Sequence, residues 1–454
     1  KADSGNGNSW FGGNDEVGWE FDKTFDGMKN LINEIEKSGY SPSKIFLIGF
    51  SQGACLAIDF ALRLQFSIGG IVAIAGFIKF KERFLEEASN ESSDTPILLM
   101  HGNQDDIIPI KAGKTGYCPA PWIPELREAL AKDVGCARGL DYGIDNVSIQ
   151  PGGKPSIGKY IAAMMEKGDI VLYPNPGYPI YESQIEFYKG IACPYGYINT
   201  SDGLRLDFEA IENGIQKGAK HIFYNNYNNP TGASSPDEEI ERLAKLVINN
   251  DMFLISDDAY FDTLYNGSPK SIASLPGMYE RTLTMYTFSK KFAMTGWRLG
   301  GAIGPKNIIE QINRLNVNME SCTTHFIQHA GVAGLNAPKK ETQDILDKLQ
   351  SRRDVLVEIL NSIDGVEAHM PEAGFYVFPK VTELMGEIGF NDPEEFRKSV
   401  LNETGVSFCG RHHFGRPLDN ETDFYIRLAF SGISKDDLQE GMAEFKSWIE
   451  SRRK

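Results

Sequence analysis

Cysteine is scarce and without pairing pattern: the six thiols, at 55, 118, 136, 193, 322 and 409, include no C-x-x-C spacing. That suggests neither a zinc site nor a disulfide framework, so free thiols in a reducing compartment are the expectation. No apolar run reaches the roughly 20 residues a membrane-crossing helix needs, so no membrane partner is expected. Positive charge is in deficit, with 46 Lys and Arg against 62 Asp and Glu and a net charge of −16. Nucleic-acid backbones are held by clustered Lys and Arg, which speaks against a nucleic-acid face. Histidine is rare too: seven in all, and only His101 lies before residue 221. The chain opens on Lys1 rather than Met, so the lack of a leader peptide is weak ground for the cytoplasmic location expected here.

What is present divides into two unlike parts. With 454 residues, 41% hydrophobic and 24% charged, the composition suits a soluble chain of two or three domains. Apolar strands at 44–50, 70–75 and 96–101 alternate with helical stretches. Beyond Tyr117 a longer strand-and-helix series runs to a final helix at 435–453. Short apolar runs with amphipathic helices between them predict mostly parallel sheets. The change falls near 111–117 and no Pro/Gly/Ser linker marks it.

In the first part, strand 44–50 runs into Gly49-x-Ser51-x-Gly53 and a helix over 54–64. Glycines on either side of a serine permit the sharp turn that lifts its hydroxyl off the sheet end, and the helix start offers backbone N–H groups to an oxyanion. A second strand, 97–101, leads to His101-Gly-x-x-Asp105-x-x-x-Pro109. The segment resembles the carboxylesterase and acyl-protein-thioesterase branch of the α/β-hydrolases, as does Trp10-Phe11, and the resemblance puts nucleophile and triad acid on Ser51 and Asp105. The third member, a histidine after the acid, has no candidate in this part: His221, His325, His329, His369, His412 and His413 all lie in the second. Without a base the serine stays a protonated alcohol, so a vestigial hydrolase fragment is expected.

The strongest signal of the second part is Thr287-Phe-Ser289-Lys290-Lys291, with Arg298 eight residues beyond Lys290. A positioned lysine can bind a carbonyl cofactor covalently, while hydroxyls and a guanidinium fork suit a phosphate. Asp257-Asp-Ala-Tyr260 follows an apolar strand, as does Asn229-Pro-Thr-Gly232. Pro151-Gly-Gly153-Lys154-Pro155 opens a helix whose apolar positions recur at helical spacing. Arg427 interrupts a buried-looking strand, where a charge needs a partner such as a ligand carboxylate.

In this order the motifs resemble the class I/II aminotransferases, which use pyridoxal 5′-phosphate on fold type I, over roughly Thr115 to Lys454. The resemblance implies that Lys290 carries the cofactor and that Asp257 faces its ring nitrogen. Asn229 and Tyr260 then meet the ring oxygen and Tyr178 stacks on the ring. Gly153, Lys154, Thr287, Ser289 and Arg298 surround the phosphate, with Tyr117 reaching across a homodimer. Lys290, Tyr260 and Asp257 become the catalytic set, and Arg427 and Lys154 the substrate-binding pair. Asp258, usually Glu in the family, is expected to point elsewhere, the Glu372–Tyr376 segment to close over substrate, and His412 and His413 to be loop residues. No metal is implied. The expected architecture is α/β: a partial hydrolase sheet over 1–112, a cofactor-binding large domain over 113–335 and a small α+β domain over 336–454.

The expected reaction moves an amino group between an amino acid and a 2-oxo acid by a ping-pong route. Alternatives are another reaction of the same cofactor, such as β-elimination, a serine esterase or thioesterase activity of 1–112, or a ligand sensor on the aminotransferase fold, which would carry a basic DNA-binding helix pair that this chain does not show. Both resemblances are cut at one junction, the hydrolase missing its end and the aminotransferase its first arm, which suggests a recombined or mis-joined reading frame.

Overall fold

A computed structural model describes residues 12–14, 18–74, 76–78, 81–100, 118, 122–419 and 421–453. They group into two compact units, 1–116 and 117–454. Among the described residues no helix is long and apolar enough to cross a membrane.

The first unit holds a three-stranded parallel sheet in the order Phe46–Phe50, Gly70–Ile74, Ile97–Met100. Helices Asp22–Lys37 and Gln52–Ala61 supply its core, with Phe25, Ile32, Ala54, Ile58 and Phe60 packed against Ile71 and Ala73. Among the described residues, the opposite side of the sheet carries exposed apolar side chains. Phe46, Ile48 and Phe50 are 63%, 74% and 71% exposed, and Leu98 on the far strand is 55% exposed. Parallel sheets are ordinarily covered on both faces.

The second unit is built on a seven-stranded sheet in the order Val147–Gln150, Gly300–Ile303, Thr282–Thr287, Phe253–Asp257, Ala219–Tyr224, Ile170–Pro174, Ile191–Tyr195. Six strands are parallel, and only Gly300–Ile303 runs against its neighbours. Residues on both sides of these strands are buried, which is why they read as continuous apolar runs such as 253–256 rather than as alternating ones. A smaller antiparallel sheet, Tyr376–Val377, Ile426–Ala429, Cys409–Gly410, packs with helices Lys339–Asn361, Pro393–Thr404 and Lys435–Arg452 around a core of their own. The carboxyl ends of the large parallel strands and the middle strand of the small sheet face one cavity.

Candidate active site

That cavity has a volume of about 530 Å³. Its floor is the end of strand Phe253–Asp257. Asp257 is 3% exposed, and its carboxylate accepts from the Tyr181 hydroxyl at 2.5 Å and from the Ala259 backbone N–H at 3.2 Å. Burial pushes its carboxyl up to about 6. The Tyr181 hydrogen bond and Lys290 oppose this, and neighbouring Asp258 adds to it. Tyr181 is fully buried on helix Ile180–Phe187, and burial holds its own hydroxyl far above the usual range. Asn225 braces the same strand end, donating to the Asp257 carbonyl at 2.7 Å and accepting from the Asn229 N–H at 3.1 Å. Asp258 points the other way, to Arg138 at 2.8 Å in a buried ion pair.

Lys290 follows from the next strand, Thr282–Thr287, which ends in the short helix Phe288–Lys291. The Thr287 side chain caps that helix by accepting from the Ser289 N–H, which fixes both hydroxyls and turns Lys290 inward. The Lys290 ammonium lies over the rings of Phe375, at 4.8 Å, and Tyr260, at 5.4 Å. Burial lowers its pKa, Arg427 and Arg298 act in the same sense, and Asp257 resists. Lys291 instead pairs with Asp133 at 2.8 Å, so the two adjacent lysines have different fates.

One end of the cavity is a glycine turn. Gly152 has φ +94°, and a Cβ there would lie 2.0 Å from Arg298 Nη2; a Cβ on Gly153 would strike Met285 Sδ. Helix Lys154–Met164 starts directly after, with Pro155 in its first turn. Pro155 has no N–H and the Ser156 N–H goes to the Gly153 carbonyl at 3.0 Å, so Gly153 and Lys154 are the backbone donors at this turn. Thr287, Ser289, Thr295 and exposed Arg298 line the wall beside them. Lys154 is exposed at this rim with its ammonium 5.7 Å from the Tyr178 ring.

Arg427, which also lines the cavity, projects from strand Ile426–Ala429. Its guanidinium lies over the rings of Tyr376, at 4.3 Å, and Phe414, at 4.6 Å, and Nη1 donates to Asn229 Oδ1 at 2.8 Å. Arg427 Nε is buried with no hydrogen-bond partner among the described residues. Tyr260 and Tyr376 join hydroxyls at 3.3 Å.

Gly153, Lys154, Tyr178, Asn229, Asp257, Tyr260, Thr287, Ser289, Lys290, Arg298 and Arg427, each singled out from sequence, all line this one cavity. Tyr117 lies outside the described residues, as do Trp10-Phe11, His101 and Asp105. Sequence reasoning gave no role to Tyr181 or Asn225. Both sit within the quoted motifs or beside them, but nothing in the chain announces that their side chains turn under Asp257.

In the first unit, Ser51 stands between strand Phe46–Phe50 and helix Gln52–Ala61 with φ +52° and ψ −119°, a conformation rare for a residue with a side chain. A Cβ on Gly49 would meet the Gly53 carbonyl oxygen at 2.2 Å, so the tight turn needs that glycine. No histidine occurs among the described residues of this unit.

A parallel sheet delivering an acid, a capped lysine and a glycine-opened helix to one cavity, with an arginine from a second sheet facing them, defines a fold type I pyridoxal-phosphate transferase. The comparisons with known proteins narrow the class. Residues 88–445 match the aminotransferase class I and II family, and the chain belongs to it. Residues 13–118 match the phospholipase/carboxylesterase family, so both matches include 88–118, whose strand Ile97–Met100 pairs within the first unit. A probable aspartate/prephenate aminotransferase of Aquifex aeolicus is 29% identical over 369 residues, covering 80% of this chain and 90% of that protein. Among solved structures, a Thermus thermophilus aspartate aminotransferase double mutant matches with a TM-score of 0.67 and 29% identity, covering 74% of this chain and 84% of that one. An aromatic aminotransferase from Pyrococcus horikoshii OT3 matches with a TM-score of 0.68 and 26% identity, over 75% and 89%. The chain is thus an aminotransferase joined to a hydrolase-like segment.

Proposed function

We propose that the cavity holds pyridoxal 5′-phosphate and exchanges an amino group between an amino acid and a 2-oxo acid in a ping-pong cycle, in a cytoplasmic homodimer. The observation that carries the reading is the distribution of donors. Lys290 stands between a buried carboxylate, Asp257, and an anion cradle made of the glycine turn, Ser289, Thr287 and Arg298. The cradle fits a phosphate, because Gly152 leaves room for the Arg298 fork and Gly153 and Lys154 bring their backbone N–H groups to the same cavity. The cofactor supplies an electron sink for the bond broken at the substrate α-carbon.

The other steps belong to the chain. Asp257 keeps a ring nitrogen protonated, and Tyr181 holds that carboxylate in place. Asn229 spends its oxygen on Arg427, so its NH₂, together with the Tyr260 hydroxyl, would hold the cofactor's ring oxygen. Arg427, unpartnered at Nε, takes the substrate α-carboxylate and presents the α-carbon to Lys290. Lys290 Nζ, whose pKa burial lowers, takes up the α-proton and returns it. Tyr376 and Phe414, whose rings both lie against the Arg427 guanidinium, keep water off the ion pair. Lys154 at the rim suits a second carboxylate, and the relatives named for aspartate support a dicarboxylic donor. Tyr117 is proposed to reach the phosphate of the neighbouring subunit.

Incubation with aspartate, alanine or an aromatic amino acid plus 2-oxoglutarate tests the reading: glutamate should form, fastest with aspartate. Keto-acid release without glutamate would instead assign a lyase. Lys290→Ala should lose at least about 10³-fold in rate and all covalent retention of the cofactor. Covalent binding that survives this substitution would remove Lys290 from its role. For the first unit, ester hydrolysis from Ser51 is not favoured, because the described unit offers no histidine to take its proton.

A further inference from the structure

We propose that Glu394, His412 and His413 form a binding site for a divalent transition-metal ion, with Zn²⁺ as the fitting occupant. None of the three lines the active cavity. One ligand atom from each lies within 4.8 Å of those of the others. His412 Nε2 is 3.7 Å from Glu394 Oε2, and the two imidazole rings are 4.0 Å apart at their centroids. Tetrahedral zinc with bonds of about 2.0–2.2 Å to N and O sets its ligands about 3.4 Å apart. Both imidazoles are exposed, so rotations that move their nitrogens by about an ångström close the set without disturbing a core.

The backbone around the cluster is already held. Arg411, immediately before the histidines, donates to Asn175 Oδ1 at 2.9 Å, to the Gly415 carbonyl at 3.1 Å and to Glu421 at 2.5 Å. His413 Nδ1 lies 3.1 Å from the Gly410 carbonyl. A carbonyl there requires Nδ1 to carry the proton, which leaves the lone pair on Nε2, the arrangement found behind metal-binding imidazoles. Glu394 sits in the first turn of helix Pro393–Thr404, its N–H accepted by Asp392 at 2.7 Å. Arg397 takes both carboxylate oxygens at 2.7 Å, and Lys398 is 3.6 Å away. A carboxylate has about four lone-pair sites, so the fork leaves positions for a metal. The nearby cations weaken the site, which makes it an exchangeable site rather than a structural one.

Two His and one Glu with open positions for water are a zinc set, whereas Mg²⁺ and Ca²⁺ favour oxygen alone. The site also has a neighbour of consequence. The histidines follow strand Cys409–Gly410, in which Cys409 pairs with Arg427.

Calorimetric titration of the full-length, cofactor-loaded protein with Zn²⁺ alone tests the assignment. The exposed thiol Cys136 is another zinc ligand, so the readout is the difference between proteins rather than total binding. One ion per chain should be lost, or bound at least about tenfold more weakly, in the His412→Gln/His413→Gln double variant. Glu394→Gln should weaken the same ion. The proposal is overturned if wild type and double variant bind Zn²⁺ with equal stoichiometry and affinity, or if the wild type binds none. The substituted histidines are exposed, and a matching thermal melt of the variant excludes misfolding as the cause of a loss.

Discussion

Asp257 ends a strand whose last four residues are all buried, and folding makes its carboxyl group harder to ionise, moving it from 3.8 to about 6. The sign follows from linkage. A raised acid contributes stability that is complete below the unfolded value near 3.8 and is lost as pH rises through 6. Above that, the cofactor-free protein carries a buried carboxylate at a cost on the order of 3 kcal/mol. Asp257→Asn should therefore melt higher than the wild type at pH 8 when cofactor is absent, while losing transamination. Calorimetry across pH 4–8 checks it, and a wild-type profile that stays parallel to the variant's refutes the cost. Tyr181→Phe removes a donor that favours the ionised form, so the acidic limb of kcat/KM should shift to higher pH. These two residues mark where the sequence stops being legible. Asp257 could be singled out because an acid at a strand end is a motif in itself. Tyr181 could not, because its value lies in which way the start of one helix faces beneath another strand.

At the level of elements, the glycine turn before helix Lys154–Met164 is the most constrained. Gly152→Ala puts a methyl group into the Arg298 fork at φ +94°, so cofactor affinity should fall roughly tenfold to a hundredfold, read from the absorbance on titrating cofactor into the stripped protein. The strand Ile426–Ala429 makes the complementary case. Arg427→Ala should raise KM for the amino acid far more than it destabilises the fold, because the fold gives up the Asn229 bond and ring contacts whereas the substrate carboxylate loses its cationic partner. Unchanged KM would release Arg427 from substrate binding. Both elements were readable in advance, one from Pro after Gly-Gly-Lys, the other from a lone arginine in an apolar run. The order of the strands was not. Nothing local says that Gly300–Ile303 inserts antiparallel between Val147–Gln150 and Thr282–Thr287, because one of those two partners, Val147–Gln150, lies far back in the chain.

The molecule groups into two units whose contents differ in kind: a cavity lined by the cofactor-type residues in one and, among the described residues, a serine with no histidine in the other. Ser51→Ala should leave glutamate formation unchanged, and the wild type should show no ester turnover above that variant. The two α/β patterns were evident from the chain because each carries its own strand-end motifs. The exposed apolar side of the three-stranded sheet was not, since burial is a property of what else is present. That exposed side has its own consequence for how the protein behaves in bulk. Among the described residues, Phe46, Ile48, Phe50 and Leu98 present an exposed apolar surface of the kind that binds hydrophobic dyes, recruits chaperones and seeds inclusion bodies at high expression.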